Sequence, residues 1–260
     1  MALLETILLA IVQGIGEFLP VSSSGHVVVL AAAFRELGTE LGSTLTINIV
    51  LHLGTLAAIV VVYGRRIGRL AGRDRRVVPL LVVASIPAAV VGVGLKLGCK
   101  ATLESPLLAG LMFPVTGVIL LASARLKPAG LDCCALGYGQ ALVIGLFQAL
   151  AILPGISRSG STIVAGLACG LKREEAAAFS FLLAIPAIGG AGLLEALHWL
   201  ARPPAVDSLG LLAVGGLLSF GVGLASLLWL LEWLRQGRLH HFAWWVLVLG
   251  PAVVVWQSFA

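Results

Sequence analysis

Charged side chains are scarce in this chain. Asp, Glu, Lys and Arg make up 11% of its 260 residues, where a soluble domain uses about a quarter to cover its surface. Hydrophobic residues supply 59%. That balance excludes an ordinary soluble domain and predicts an all-α polytopic membrane protein. Dense basic tracts are missing as well. The net charge of +5 comes from Lys and Arg in short loops between apolar runs, where membrane topology ordinarily places them, so nucleic acid is not an expected partner. Metal-spaced cysteines are absent: Cys99, Cys133, Cys134 and Cys169 follow no ligand pattern and read as free thiols or small packing residues. Met1 to Ile11 lacks Lys and Arg, and Glu5 interrupts its apolar run, so no signal peptide is expected there.

Long apolar runs are what the chain does have. Six segments, at 44–64, 77–97, 105–125, 176–200, 208–232 and 241–259, approach the roughly 20 residues that cross a bilayer core. Two further apolar regions, 2–35 and 138–171, are broken midway by Pro, Gly and Ser. An arm from Ser161 to Leu171 would rise only about 16 Å as a helix, roughly half the hydrocarbon thickness. Broken helix pairs of this kind predict re-entrant hairpins, whose non-helical tips must be buried in protein or line a cavity.

The two breaks resemble each other. Gln13 to His26 reads Q-G-I-G-E-F-L-P-V-S-S-S-G-H, and Gln148 to Thr162 reads Q-A-L-A-I-L-P-G-I-S-R-S-G-S-T. Gln, Leu-Pro and a serine-rich turn ending in Ser-Gly recur in the same order. Each hairpin precedes three spans, an odd number, so the second enters from the opposite face. The expectation is an inverted-topology repeat, 1–130 and 131–260, forming one structural domain of six transmembrane helices and two re-entrant hairpins whose tips meet near the midplane.

Basic residues orient the chain. If the loop with Arg65, Arg66, Arg69, Arg73, Arg75 and Arg76 is cytoplasmic, counting spans puts Arg125, Lys127, Lys172, Arg173, Arg235 and Arg238 on the same side. Arg35, Lys96, Lys100 and Arg202 fall outside, a bias of twelve to four that the positive-inside rule favours. Both termini are then external. Trp199, Trp233, Trp244 and Trp256 near span ends suit an interfacial belt.

The polar residues of this greasy chain concentrate in the two turns. Gln13 and Glu17 are four apart and share a helix face. A carboxylate at membrane depth needs a partner, and the candidates are Arg158 across the tips, a divalent metal, or both. A bare ion pair tying the tips together is the structural alternative, although it leaves the gathered hydroxyls and histidine unexplained. Arg158 directly precedes the short arm expected to begin near Ser161. A guanidinium fork, hydroxyls and helix-start N–H groups suit a phosphate. His26, beside Ser22, Ser23 and Ser24, offers general acid–base or nucleophilic chemistry on a phosphoryl group. Asn48 and His52 read as helix-packing or supporting residues. Glu195, His198, Glu232, His240 and His241 fall at span ends, where solvation accounts for them.

Together, these motifs resemble the bacitracin-resistance family of undecaprenyl-pyrophosphate phosphatases over nearly the whole chain, including F-S-F-L-L-A-I-P at Phe179 to Pro186. The resemblance implies dephosphorylation of a polyprenyl diphosphate to the monophosphate in the bacterial inner (plasma) membrane, recycling the cell-wall lipid carrier, with Mg2+ or Ca2+ assisting at a site open to the outer face. It places the family's Glu/Gln-x-x-x-Glu motif on Gln13 and Glu17, its histidine on His26, its arginine on Arg158 and its candidate nucleophile on Ser23. Glu17 is assigned to the metal–diphosphate complex, Arg158 to clamping, and His26 to general base or direct attack. Gln13, Ser22, Ser24, Ser157, Ser159 and Thr162 are assigned to substrate binding. Serine, histidine and water all stay open as the attacking group. Gln13 stands where some members have glutamate, and Asn48 where an acidic residue is expected. The implied partners are the lipid diphosphate and the bilayer, with a homodimer allowed.

The rival reading is a transporter or polyprenyl-phosphate flippase, because opposed broken helices are transporter architecture. A second membrane phosphatase superfamily uses a Ser-Gly-His turn but needs a histidine soon after Ser-Arg, and Ser159 to Val164 contains none.

Overall fold

The computed structural model describes residues 3–36, 38, 45–98, 100–127, 129–201 and 206–259, with the side chains at 45, 46, 96–98, 100, 101, 191, 194–201 and 206–208 left out. Cys99 and Arg202, and the side chains of Lys96, Lys100, Glu195, His198 and Trp199, therefore lie outside the described residues.

The described residues form α-helices α1 (Leu3–Phe18), α2 (Ser23–Glu36), α3 (Leu45–Leu70), α4 (Val77–Gly98), α5 (Lys100–Leu103), α6 (Pro106–Ser123), α7 (Tyr138–Leu150), α8 (Arg158–Ala168), α9 (Arg173–Ala201), α10 (Val206–Arg235) and α11 (Phe242–Phe259). Five segments are long and apolar enough to cross a membrane: Ile47–Leu70, Val77–Leu95, Pro106–Ser123, Leu209–Arg235 and Leu239–Phe259. They coincide with five of the six expected spans. The sixth, 176–200, lies within the 29-residue α9, where many of the later side chains are among those left out.

Both interrupted regions are helix–turn–helix units, α1–α2 and α7–α8. Their local chemistry explains the breaks. Ser22 holds φ at +69° and Gly155 at +94°, left-handed conformations that a continuing helix cannot contain. The expectation that the second arm begins near Ser161 is corrected to Arg158. Ser157 takes the extended N-cap conformation, and its hydroxyl accepts the Gly160 N–H at 3.1 Å, which starts the helix three residues earlier. Arg158 is thus its first helical residue. The other ends of this hairpin are tied together where Leu131 N–H donates to Gly170 O at 3.1 Å and Lys172 N–H to Leu131 O at 3.0 Å.

Helices pair across the two halves of the chain. The first arm α1 packs on α10, and its counterpart α7 packs on α4, with α3 on α9 and α10, and α6 on α11. Gly14 and Gly145 sit at the first two crossings, where an added Cβ would fall 2.9 Å from Val222 Cβ and 2.4 Å from Ala84 O. Small residues bring membrane helices together in this way because packing has to replace the hydrophobic driving force that lipid removes. Phe18, Phe113, Phe179 and Phe181 anchor a core drawn from both halves. That interleaving sets the two hairpin turns against each other.

The end of the bundle where α3 stops and α9 starts collects the basic loops. There, Arg66 forks onto Glu175 at 2.9 and 2.7 Å, and Arg66 Nε and Arg69 Nε lie 3.2 and 3.4 Å from Asp74. The C-terminal ends of α6, α8 and α10 reach the same end, carrying Arg125, Lys172 and Arg235.

Candidate active site

One turn of helix α1 supplies the acidic element of the site. Gln13 and Glu17 share a face, as their spacing predicts, and Gln13 Nε2–H donates to Glu17 Oε2 at 2.9 Å. Ser23, the first residue of α2, donates its hydroxyl to the same oxygen at 3.2 Å. The other carboxylate oxygen, Oε1, is ion-paired with Arg158 Nη2, at the start of α8. Glu17 is therefore the point where both hairpins meet, and each of its oxygens already has a protein partner. His52 on α3 stands behind it, with Nε2 3.7 Å from Glu17 Oε2, too far for a hydrogen bond.

The turns also touch directly. Ser22 Oγ accepts the N–H of Gly25 at 3.3 Å and that of Gly155, in the opposite turn, at 3.1 Å. Gly25 and Gly155 lie so close that a Cβ on Gly25 would fall 2.7 Å from the Gly155 nitrogen. Neighbouring helices brace the second turn. On α6, Thr116 donates to Gly155 O at 2.7 Å and accepts the Ser157 N–H at 3.0 Å. On α9, Ser180 meets Thr162 at 2.6 Å, oxygen to oxygen. Thr116 is one hydroxyl within an apolar span, a signal any packing threonine would give, and Ser180 lies in the Phe179–Pro186 motif, which by itself assigns it no role.

A cleft of about 240 Å³, counted to its open mouth, lies between the turns and is lined by Glu17, Ser22, Ser23, Ser24 and Arg158, with Ala151 and Ile156 as apolar walls. Arg158, which lines the cleft, has its Nη1 buried without a hydrogen-bond partner among the described residues. A buried guanidinium N–H without an acceptor is costly, and an oxygen of a bound phosphate would satisfy it.

The expected site residues divide accordingly. Glu17, Ser22, Ser23, Ser24 and Arg158 line the cleft, and Gln13 orients Glu17. Ser157, Ser159 and Thr162 are buried and serve the turn and its helix: Ser157 is the cap, Ser159 pairs with it at 3.2 Å, and Thr162 donates to Arg158 O at 2.7 Å. None of these three lines the cleft. His26 is not hydrogen-bonded to Glu17 or Arg158. Its Nδ1 is 2.8 Å from Ser22 O, and Trp245 on α11 donates its indole N–H to Nε2 at 2.9 Å. That pair of contacts sets the neutral Nδ1–H tautomer, with the acceptor nitrogen occupied. Phe113 abuts the ring edge-on at 5.1 Å between centroids. Trp245 is 219 residues from His26 in the chain, and nothing in the motif points to it.

The donor set bears on the expected cation. Among the described residues no group of three His, Cys, Asp or Glu could hold a metal ion, so those residues do not form a closed cage. Hard cations such as magnesium are commonly held by one or two carboxylates together with substrate phosphates. Glu17, flanked by the Ser22, Ser23 and Ser24 hydroxyls, fits a cation shared with a diphosphate in that manner.

Residues 6–252 match the protein family described as "Bacitracin resistance protein BacA". The chain is 49% identical over 254 residues to the undecaprenyl-diphosphatase of Rhodopirellula baltica, covering 97% of both chains. It is 39% identical over 275 residues to the undecaprenyl-diphosphatase of Desulfatibacillum aliphaticivorans, covering 97% of this chain and 98% of that one. Against the undecaprenyl-diphosphatase of Pelotomaculum thermopropionicum it is 39% identical over 263 residues, covering 98% and 97%.

Proposed function

The chain belongs to the BacA family of bacitracin resistance proteins, and from that footing we infer that it is a multi-pass membrane phosphatase hydrolysing undecaprenyl diphosphate to the monophosphate and inorganic phosphate. That reaction returns the lipid carrier to cell-wall synthesis. The observation that carries the reading at the level of residues is the cleft between the turns, where one arginine N–H is buried without a partner beside three serines and a carboxylate.

Arg158 clamps the terminal phosphoryl group through Nη1 while Nη2 stays on Glu17. Phosphoryl transfer asks chiefly for positioning and charge neutralisation, and a guanidinium oriented by a carboxylate contributes to both. Ser23 is the attacking group that the geometry favours. Its proton already points at Glu17 Oε2, which leaves its lone pairs free on the other side. Its oxygen forms a bond to the terminal phosphorus as the bond to the bridging oxygen breaks. Undecaprenyl monophosphate leaves, and the serine proton passes to Glu17. Water then attacks the phosphoserine, inorganic phosphate departs, and Glu17 returns the proton to Ser23. Glu17 is the residue that would hold a magnesium or calcium ion, which would supply further charge neutralisation when bound.

Six spans with two re-entrant hairpins, in repeats 1–130 and 131–260 of inverted topology, complete the proposal. Crossed packing of α1 on α10 and of α7 on α4 supports it. The loops rich in Arg and Lys share one end of the bundle, and the positive-inside rule makes that end cytoplasmic, with the termini and the mouth of the cleft at the outer face. A homodimer is compatible with this arrangement.

The test is phosphate release from a prenyl diphosphate by the purified chain in detergent. Arg158→Gln and Ser23→Ala are each expected to lose about 100-fold or more. Undiminished release in both variants would overturn the assignment.

A further inference from the structure

We propose that the cleft enclosed by α6, α8, α9 and α10 at the basic end of the bundle is a second site, which binds an anionic phosphate group, whether a phospholipid headgroup or free phosphate. It is roomier than the first, about 410 Å³ counted to its mouth, and is lined by Ser123, Arg173 and His240 with aliphatic walls that include Leu126, Leu167 and Leu239.

Two observations give it an anionic occupant. Arg173, half-buried on the cleft wall, makes no hydrogen bond or ion pair among the described residues. Its guanidinium lies over Gly237, where a Cβ would fall 3.1 Å from Nη2. His240, on the same cleft, has its Nδ1 buried without a hydrogen-bond partner among the described residues. A guanidinium fork and an imidazole lining one cleft suit a phosphate.

Neighbouring carboxylates do not neutralise them. Glu175 is held by Arg66 and by the Cys133 N–H, and Glu232 lies by Arg235 and Gln236. Glu174 is exposed and turned about 100° around the helix from Arg173. Arg125, Lys127 and Arg238 add positive charge at this end. Basic pockets between membrane helices collect anionic headgroups, and the leucine walls suit the glycerol and first methylenes of such a lipid.

The cleft is separate from the catalytic one. Leu167 follows Arg158 by nine residues along α8, about 14 Å of helix, and Ser123 follows Thr116 by seven along α6, about 10 Å.

The experiment uses the full chain purified in detergent, with binding read by native mass spectrometry. Phosphatidylglycerol and phosphatidylcholine are titrated in one arm. Inorganic phosphate is titrated in the other, in an Arg158→Gln background that silences the catalytic cleft. Phosphatidylglycerol is expected to be retained over phosphatidylcholine, and the R173Q/H240Q double variant to bind it about tenfold more weakly. A difference confined to the inorganic phosphate arm identifies free phosphate as the occupant. Equal binding of both probes by parent and double variant overturns the site. Prenyl diphosphate hydrolysis by the double variant, measured in the same preparation, reports folding. Should that variant be inactive, Arg173→Lys takes its place: retained phosphatidylglycerol preference with the charge kept supports the site, and binding no different from Arg173→Gln sinks it.

Discussion

Ser22 Oγ sits 3.1 Å from the backbone nitrogen of Gly155, 133 residues away, and accepts its N–H. The same oxygen accepts from Gly25 N–H at 3.3 Å, so one hydroxyl joins the start of α2 to the turn before α8. Arg158 follows Gly155 by three residues, and its reach to Glu17 depends on this join.

Gly25→Ala should therefore act on activity and stability together. Its Cβ would meet Gly155 nitrogen at 2.7 Å and Phe113 Cζ at 2.8 Å, contacts that force the turns apart. Overpacking of this kind costs about 1–3 kcal/mol. A lower unfolding temperature in detergent and a loss of hydrolysis exceeding tenfold are expected. Wild-type hydrolysis by G25A would show that the turns need not touch.

Thr116→Val keeps the shape of the α6 brace and removes its oxygen. The Ser157 N–H and the Gly155 carbonyl then lose a partner in a buried place, at about 1–3 kcal/mol for each. Thermal unfolding should fall accordingly, while Thr116→Ser, which retains the hydroxyl, should recover most of the loss. Equal unfolding temperatures for T116V and T116S would remove the brace from the account.

Comparison of His26→Ala with Ser23→Ala separates two attacking groups. Because the His26 acceptor nitrogen is engaged by Trp245 and Ser23 is bonded to Glu17, Ser23→Ala should cost more in kcat/KM than His26→Ala. Trp245→Phe retains the ring and removes only the N–H, so it should change hydrolysis less than either. A His26→Ala loss larger than that of Ser23→Ala would reverse the assignment.

At the basic end, the Glu175 carboxyl is pushed upward by burial. Hydrogen bonds from Cys133 and Arg66 outweigh that push and hold it below the ordinary carboxylate range. A depressed carboxylate pKa stabilises the fold fully above the unfolded value, about 4.3 for glutamate, and the contribution fades as pH falls from there through the lower folded value. Unfolding temperature should drop across that acidic window in the parent chain and drop less in Glu175→Gln. Parallel pH profiles for the two would disprove the clamp.

Membrane class, five of the helical spans and the two breaks were legible in the sequence because each follows from local composition: apolar length sets a span, and a Leu-Pro-serine turn ends a helix. Spacing alone placed Gln13 and Glu17 on one face. The start of α8 was misplaced by three residues because a serine cap competes with several neighbouring serines, and only backbone geometry reveals which one accepts the capping N–H.

What the sequence by itself determined is therefore which polar residues interrupt the apolar runs and which stretches cannot be continuous helix. Tertiary structure decided which of them share a cleft. Arg158 and Glu17 are 141 residues apart, and their meeting depends on α1 packing against α10 and α7 against α4. The same packing turned His26 toward Trp245 and assigned Ser157, Ser159 and Thr162 to holding the turn and its helix. Motifs specify chemical groups, but the direction a side chain faces is set by helices packed from elsewhere in the chain, and that information is nowhere local.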